Sequence, residues 1–299
     1  MESRFMMSEY SENIRNLVAD TLVKAGSTFR EDQIAAYRNA IAKESNPQAK
    51  WVLETILENA RAAAENQSPL CDDSGIPHLI LDVGPGTEVS AELLAAIQDG
   101  VSLGLQQLPG RPMAIMGSDV ERLDQSGGLN EDSGAVLPAP IQIRSVDEPV
   151  LRLHVLMLGG GPAIRAKTYR VFHKHNVENI LEEIISWATE GIKNLGCSPC
   201  TVCVGIGRSH YEASSLMLQA QAEGRYDIQT EMEKEITSRI NQSNIGALGL
   251  HGDTSVLATF MKTGPQRASG VRIVCMRPCC CFEPRVASVV LPERNITVL

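Results

Sequence analysis

Apolar residues recur at helical intervals through most of residues 8–66. The first run ends at Gly26, Thr28 is placed to cap a second helix, and Pro47 opens a third. The apolar positions of the first run are Ile14, Leu17, Val18, Leu22 and Val23. We therefore predict an N-terminal helical region over residues 1–66, whose role is structural.

Strand-like and helix-like segments alternate downstream of this region. Residues 149–158 alternate as in a β-strand, and an amphipathic helix is expected over residues 176–194. Other predicted strands cover residues 79–81, 140–144, 269–275 and 286–291, and other predicted helices cover residues 90–105, 210–222 and 228–241. The pattern predicts a mixed α/β fold, in which the N-terminal helical layer packs on a mixed β-sheet region with Gly-rich loops forming the site. We expect this second region, residues 67–299, to form one compact domain with the first.

Composition excludes several classes of protein. Hydrophobic residues make up 43% of the 299 residues and charged residues 21%, which fits a soluble globular protein and not a disordered one. Apolar runs stay below the roughly 18 residues of a membrane span, and the first residues lack the apolar core of a signal peptide. The net charge of −9 argues against nucleic-acid binding. We therefore expect a cytoplasmic protein without a membrane or nucleic-acid partner.

Eight cysteines in a chain expected in the cytoplasm do not indicate a disulfide framework. They are better explained as metal ligands, buried apolar residues or reactive thiols. Three places stand out in the sequence, namely Cys71, Cys197 and the group at residues 275–281. Three thiolates from separated loops can hold a [4Fe–4S] cluster and leave one iron free for substrate.

The first of these places is residues 71–75, Cys-Asp-Asp-Ser-Gly, between a predicted helix and a predicted strand. Reactive groups are often found at such junctions, because the flanking elements hold the loop while its side chains stay exposed. The alternative is an Asx-type turn with a buried free cysteine. The pentapeptide alone does not decide between the two, and the distant cysteines favour the first.

A Gly-rich segment, residues 159–161, follows a predicted strand and precedes the cations Arg165, Lys167 and Arg170. Glycines let a backbone approach a ligand closely and expose its N–H groups, and neighbouring cations favour an anion. The segment is therefore a candidate cradle for a carboxylate. The alternative is a flexible turn followed by a solvated basic face.

Cys197, Cys200 and Cys203 have a Cys-x2-Cys-x2-Cys spacing, which resembles part of a ferredoxin motif. A strand around Cys203 would point Cys200 and Cys203 in opposite directions. We therefore interpret Cys197 as a ligand and the other two as packed thiols. Gly205 and Gly207, which follow, are typical of a strand-to-helix turn that favours anions.

Together these segments resemble those of the iron–sulfur hydro-lyases, the class I fumarases and L-tartrate dehydratase, and specifically their alpha subunit or N-terminal domain. Residues 71–75 resemble the family's Cys-x-Asp-Thr-Gly loop, and residues 159–161 its Gly-Gly-Gly segment. Residues 194–207 resemble its Cys-Pro-Pro…Gly-Val-Gly-Ile segment, and residues 249–255 its Gly-Leu-Gly-Gly-x-Thr segment. Cys281 with Arg285 resembles its final Cys-Trp-Ala-x-Arg. The order and spacing hold over roughly residues 45–292.

The resemblance implies a [4Fe–4S] cluster held by Cys71, Cys197 and Cys281, with Cys279 or Cys280 as alternatives for the third ligand. It also implies an activity, the reversible addition of water across a carbon–carbon double bond. The implied substrate is a small dicarboxylate of the fumarate/malate or tartrate type. An iron without a protein ligand would act as a Lewis acid on the substrate hydroxyl.

The resemblance implies further roles beside the cluster. Asp73 corresponds to the family's aspartate next to the substrate and is an expected catalytic residue. The residues expected to hold the substrate carboxylates are Gly160, Gly161, Lys167 and Arg111. The family usually has a histidine about a dozen residues before the last cysteine, but residues 262–267 contain none. His251 is the candidate that replaces it as an acid or base.

The family also needs a second, beta-type domain, and the residues after Leu291 are too few to encode one. The resemblance therefore implies a separate beta subunit, with a homodimer or a heterotetramer as the expected assembly. A second hypothesis is a non-catalytic or divergent iron–sulfur or metal-binding protein of the same fold, which the missing histidine favours. A third is a structural zinc protein that uses Cys197, Cys200 and two late cysteines, which leaves Cys71 without a role.

Overall fold

The fold is described from a computed structural model that covers residues 8–108 and 110–293. Its chain divides into two compact units. Unit 1 contains the described residues of Met1–Thr28, Ala63–Met157 and Arg285–Leu299, and unit 2 consists of Phe29–Ala62 and Leu158–Pro284. The two predicted regions include residues 1–7, 109 and 294–299, which lie outside the described residues. The predicted boundary after residue 66 stays a prediction.

Unit 1 contains a four-stranded sheet with helices against one face. Its helices are α1 (Glu9–Ser27), α4 (Ala91–Gln107) and the short α5 (Asp119–Asp124). Its strands are β1 (Ile76–Val83), β2 (Gln142–Ser145), β3 (Leu151–Leu158) and β8 (Val286–Val290). The last residue of β3, Leu158, is counted in unit 2. The strand order is β2-β1-β3-β8, with β1 and β2 parallel and β3 and β8 antiparallel. Serine hydroxyls cap α1 and α4, because Ser8 and Ser90 accept hydrogen bonds from the backbone N–H groups of Ser11 and Leu93.

The core of unit 1 joins α1 and α4 to the apolar face of the sheet. Its β3 residues are Leu151, Leu153, Val155 and Met157, which alternate along the strand as the sequence pattern predicts. The two helices pack closely at Gly100 of α4, where a Cβ would lie 2.6 Å from the Cβ of Val18 and 2.7 Å from the carbonyl oxygen of Arg15. The opposite face of β3 carries His154.

Unit 2 contains a second four-stranded sheet with helices on both faces. Its helices are α2 (Glu31–Lys43), α3 (Pro47–Asn66, whose residues from Ala63 belong to unit 1), α6 (Gly160–Ala163), α7 (Glu178–Leu195), α8 (His210–Glu223) and α9 (Glu231–Asn241). Its strands are β4 (Lys167–Phe172), β5 (Cys200–Gly207), β6 (Val256–Thr263) and β7 (Val271–Cys279), in the order β4-β7-β5-β6. The β5–β6 pair is parallel, and β7 is antiparallel to both β4 and β5.

The two faces of this sheet have separate cores. Cys200 and Val202 of β5 pack with residues of α7 and α9, whereas Cys203 packs with residues of α8. The prediction that Cys200 and Cys203 point in opposite directions is therefore correct. The interpretation of Gly205 as part of an anion-binding turn is wrong, because this glycine lies inside β5 and pairs with Cys275 of β7.

The mixed α/β class with N-terminal helices is confirmed. The sequence pattern does not predict β4 and β6, nor does it predict α5 and a 3-10 turn at Ser133–Ala135. Within the part of the chain that the structure describes, no helix combines the length and the apolar character needed to cross a membrane.

Candidate functional site

The loop at residues 71–75 lies in unit 1, just before β1. The Cys71 side chain is half-buried, Asp72 is exposed and Ser74 is buried. A tight turn forms here, because the Ser74 N–H donates to the carbonyl oxygen of Asp72 at 2.9 Å. Gly75 follows with φ of +91°, a left-handed conformation that favours glycine. The turn directs the chain into the strand and leaves Cys71 and Asp73 on the loop.

Two predicted site residues come together at this loop. Arg111 lies 3.4 Å from the carboxylate of Asp72 and 3.9 Å from that of Asp73, measured from its guanidinium nitrogens. About half of the Arg111 side chain is exposed (52%) and a quarter of the Asp73 side chain is (24%), so these ion pairs add little stability. The arrangement places one cation beside two carboxylates of the loop, and the roles of Asp73 and Arg111 in catalysis and substrate binding stay predictions.

The backbone of Asp73 is fixed by Arg285. The Arg285 guanidinium donates from Nη1 to the Asp73 carbonyl oxygen at 2.6 Å and from Nε to the Met157 carbonyl oxygen at 3.2 Å. Arg285 is only 1% exposed. Its planar fork of donors can hold two carbonyl groups at fixed angles. Arg285 belongs to one of the motifs that resemble the family, but its contacts could not be predicted from that motif.

Two further predicted residues, Cys197 and Cys281, come together in unit 2. The Cys281 N–H donates to the Cys197 carbonyl oxygen at 2.9 Å. Cys197 is exposed and follows Gly196, which ends α7 in a left-handed conformation with φ of +79°. Cys281 is buried, and its carbonyl oxygen accepts a hydrogen bond from the hydroxyl of Tyr37 at 2.5 Å. Burial and the neighbouring Cys281 and Cys280 raise the pKa of Tyr37 well above its usual value, so its hydroxyl stays a donor.

The remaining thiols are buried. Cys203 and Cys279 lie on neighbouring strands with their sulfur atoms 3.6 Å apart, and both are fully buried. Burial raises the pKa of Cys279, and the contact with Cys203 raises it further. Burial also raises the pKa of Cys200, with Cys280 and Cys197 as neighbouring groups. These values favour neutral, packed thiols on β5 and β7 over reactive ones.

Across residues 8–108 and 110–293, no three His, Cys, Asp or Glu side chains are grouped as ligands of one metal ion. The eight cysteines, all within this part of the chain, are free thiols.

The Gly-rich segment is held by a buried ion pair in unit 2. The Gly159 N–H donates to the Glu283 carboxylate at 2.6 Å, and the Gly159 carbonyl oxygen accepts from Arg277 at 3.0 Å. Gly160 and Gly161 then begin α6. Burial acts to lower the pKa of Arg277, but Glu283 together with the neighbouring Cys279 and Cys203 raises it, so the pKa lies above its ordinary value. The Arg277 guanidinium is therefore charged.

The other predicted residues have contacts of their own in unit 2. The ammonium of Lys167 on β4 lies 4.4 Å from the ring centre of Trp187, and both residues line a cavity of about 640 Å³ between β4 and α7. His251 is exposed and has φ of +64°. Its Nδ1 lies 3.1 Å from the carbonyl oxygen of Asn244, and its own carbonyl accepts from the Asn46 amide at 3.1 Å. The substrate role of Lys167 and the acid–base role of His251 stay predictions.

Sequence reasoning missed three residues that fix these segments, namely Tyr37, Arg277 and Glu283. A signal was present for two of them. Arg277 and Glu283 are opposite charges that flank the cysteines of a largely apolar stretch, and charged residues in such a stretch are expected in pairs. No comparable signal marks Tyr37 in the sequence, because its partner is a backbone carbonyl.

The family model described as Fumarate hydratase (Fumerase) matches residues 15–290. The chain belongs to the fumarate hydratase family. The resemblance drawn from the sequence motifs is therefore confirmed, and with it the hydro-lyase class of enzyme.

Two relatives of this fumarate hydratase family member carry more specific names. The "Putative L(+)-tartrate dehydratase subunit alpha" of Methanocaldococcus jannaschii is 28% identical over 260 residues, which cover 83% of this chain and 88% of that protein. The L(+)-tartrate dehydratase subunit alpha of Escherichia coli K12 is 22% identical over 288 residues, covering 92% of this chain and 91% of that protein.

Proposed function

We propose that this chain is the alpha subunit of a [4Fe–4S] hydro-lyase that hydrates or dehydrates a small dicarboxylate. The observation that carries the proposal is the Cys281 N–H to Cys197 carbonyl hydrogen bond, which joins two of the three expected ligand segments. The third expected ligand, Cys71, lies two residues before Asp73 on a loop fixed by Arg285. The names of the relatives support the subunit assignment, and a separate beta subunit is the proposed partner.

The donor set fits a cluster. Thiolates are the usual ligands of iron–sulfur clusters, and Cys197 is exposed while Cys71 is half-buried. Cys281 is favoured over Cys279 as the third ligand, because Cys279 is fully buried and already contacts Cys203. Cys280 remains the alternative. A [4Fe–4S] cluster held by these thiols would supply a Lewis-acidic iron for the substrate hydroxyl.

The protein's own residues have the remaining tasks. Arg111 binds one carboxylate of the substrate, and Asp73 removes or returns the proton on the carbon next to a carboxylate. The hydrogen bond from Arg285 fixes the backbone at Asp73, so that its carboxylate is held for this transfer. Gly160 and Gly161, with Lys167, are proposed to bind the other carboxylate. His251 is the proposed second acid or base.

The proposed substrates are fumarate or malate, or L-tartrate. The proposed assembly is a homodimer or, with the beta subunit, a heterotetramer. A cytoplasmic location is also proposed, because eight free thiols fit a reducing compartment.

The test is anaerobic co-production with a beta subunit encoded in the same genome, followed by iron and acid-labile sulfide analysis. Hydration of fumarate and dehydration of malate and L-tartrate are then assayed with and without the beta subunit. We expect roughly four irons and four sulfides per chain and turnover of one diacid that depends on the beta subunit. Iron and sulfide without turnover would support a non-catalytic cluster protein instead. Zinc in place of iron would support the structural zinc hypothesis and overturn the proposal.

A further inference from the structure

Arg277 and Glu283 form an ion pair that is buried inside unit 2. Both side chains are almost fully buried, at 3% and 1% exposure. Arg277 Nη2 lies 3.1 and 3.2 Å from the two carboxylate oxygens of Glu283. Removing two charges from water is costly, and such a pair persists only where further hydrogen bonds satisfy it.

Gly159 contributes two such bonds, one through each of its backbone polar groups, whereas Arg277 Nε is buried without a hydrogen-bond partner among the described residues. Its N–H donates to Glu283 Oε1 at 2.6 Å, and its carbonyl oxygen accepts from Arg277 Nη2 at 3.0 Å. One residue is thus held by two oppositely charged side chains. Hydrogen bonds to charged groups are the stronger kind, and they restrict a residue type whose backbone is otherwise the most permissive. The ion pair therefore sets the backbone direction from which Gly160 and Gly161 continue.

The same pair is tied to the cysteine segment. The Glu283 N–H donates to the Cys280 carbonyl oxygen at 2.9 Å, and the next bond in the series is Cys281 N–H to Cys197 carbonyl. Arg277 belongs to β7, where it is paired with Cys203 of β5. The Cys280 carbonyl and the Cys281 N–H belong to the same peptide group. These hydrogen bonds therefore link the glycine segment, through Glu283, to the backbone of Cys281 and Cys197.

We infer that Arg277 and Glu283 are positioning residues for the reaction, which hold the carboxylate-binding glycines at a fixed place relative to the cysteine segment. The inference rests on the proposed function and adds the residues that set its geometry. Glu283 stands at the alanine position of the Cys-Trp-Ala-x-Arg pattern that this chain resembles, so the pair is a feature of this sequence. Misplacement of a binding group by about 1 Å is enough to weaken catalysis strongly.

The first test uses the full chain without a cluster. Hydrogen exchange is followed by mass spectrometry on peptides that cover residues 159–166, in the wild type, Glu283→Gln and Arg277→Met. The matched control is Ile236→Ala, which removes a fully buried side chain from the α7–α9 core of the same unit. We expect exchange of residues 159–166 to be about tenfold faster in both ion-pair variants and unchanged in the control. Equal exchange in the variants and the control would overturn the inference. If Arg277→Met does not fold, the isosteric Glu283→Gln decides the result alone.

The second test uses the loaded enzyme with its beta subunit. We expect Glu283→Gln to raise KM for the diacid about tenfold with kcat reduced less, since a ground-state carboxylate contact is weakened. Arg277→Met should raise KM in the same way, and Arg277→Lys, which keeps the charge, should raise it less. An unchanged KM in Glu283→Gln would overturn the inference. A wild-type enzyme that is inactive on every diacid would overturn the proposed function instead, while the exchange measurement would still judge the ion pair.

Discussion

The guanidinium of Arg285 holds the backbone carbonyl of Asp73 at 2.6 Å. These residues are far apart in the sequence, and both belong to unit 1. Arg285 directly precedes β8, and its own carbonyl oxygen accepts from the Met157 N–H at 3.0 Å. The last strand of the sheet therefore fixes the orientation of the loop that carries Cys71 and the expected catalytic carboxylate.

Arg285→Ala is expected to lower the free energy of unfolding by roughly 3–5 kcal/mol, because the Asp73 and Met157 carbonyl groups lose their buried charged donor. Arg285→Lys should lose less, since a lysine can reach one of the two carbonyls. Urea unfolding followed by circular dichroism measures both. The control is Arg152→Ala in the same unit, which removes a partly exposed pair with Glu148 and should change the free energy by less than about 1 kcal/mol. Equal midpoints for the two alanine variants would contradict the assignment.

The cysteine variants test the proposed ligand set. Cys71→Ser and Cys197→Ser are each expected to abolish retention of the cluster, because a serine hydroxyl is a much poorer ligand for iron than a thiolate. Cys203→Ser is the control, because this thiol is buried against α8 and Cys279. Iron and sulfide content after anaerobic reconstitution gives the readout. Comparison of Cys281→Ser with Cys280→Ser then identifies the third ligand. Wild-type iron content in Cys71→Ser or Cys197→Ser would count against the proposal.

The sequence predicted those elements whose apolar pattern is strong. α7 and β3 were found because their buried residues recur at helical and alternating intervals. β4 was missed because it is an edge strand on which Val171 alone is buried, while Lys167 and Phe172 are exposed. An edge strand with mostly exposed side chains has no clear alternation to detect.

Only those residues of the candidate site that belong to short motifs could be predicted from the sequence. The residues 71–75 motif and Cys197 stand out because reactive residue types crowd into short loops. Their supports could not be predicted in the same way, because Tyr37 and Arg285 act on backbone carbonyls far away in the sequence. A carbonyl group is present at every position, so the sequence carries no sign of which one is bound.

A row of hydrogen-bonded polar side chains on the sheet of unit 1 predicts that the free energy of unfolding depends on pH. Asp82 accepts hydrogen bonds from Arg144 at 2.7 Å and lies 2.9 Å from His154, which in turn contacts Ser288 at 2.7 Å. Burial raises the pKa of Asp82, but the hydrogen bonds from His154 and Arg144 lower it by more, so the pKa lies below its ordinary value. The carboxylate therefore stabilises the fold above the ordinary Asp pKa of about 4, and this contribution is lost as the pH falls through the lowered pKa of the folded state.

The free energy of unfolding of Asp82→Asn should therefore change less between neutral and acid pH than that of the wild type. The variant is expected to be less stable than the wild type at neutral pH, because Arg144 loses its buried partner. The difference should shrink as the pH falls below about 4. Urea unfolding at a series of pH values measures it, with Asp20→Asn, an exposed carboxyl on α1, as the control. A constant difference between wild type and Asp82→Asn down to the acid limit would refute the linkage.

Gly205 of β5 lies directly against the backbone of α8 in unit 2. A Cβ at this position would lie 2.0 Å from the carbonyl oxygen of Ala213 and 2.3 Å from the backbone nitrogen of Met217. Both atoms belong to the helix backbone, so a rotamer change cannot relieve the clash and the whole helix must move. Gly205→Ala should therefore lower the free energy of unfolding by about 3 kcal/mol or more.

Gly270→Ala is the matched control, because a Cβ there has no heavy atom within 4 Å, and it should change the free energy by less than about 0.5 kcal/mol. Thermal and urea unfolding of the two variants measure the contrast. Similar stabilities would mean that α8 does not pack on β5 at this glycine.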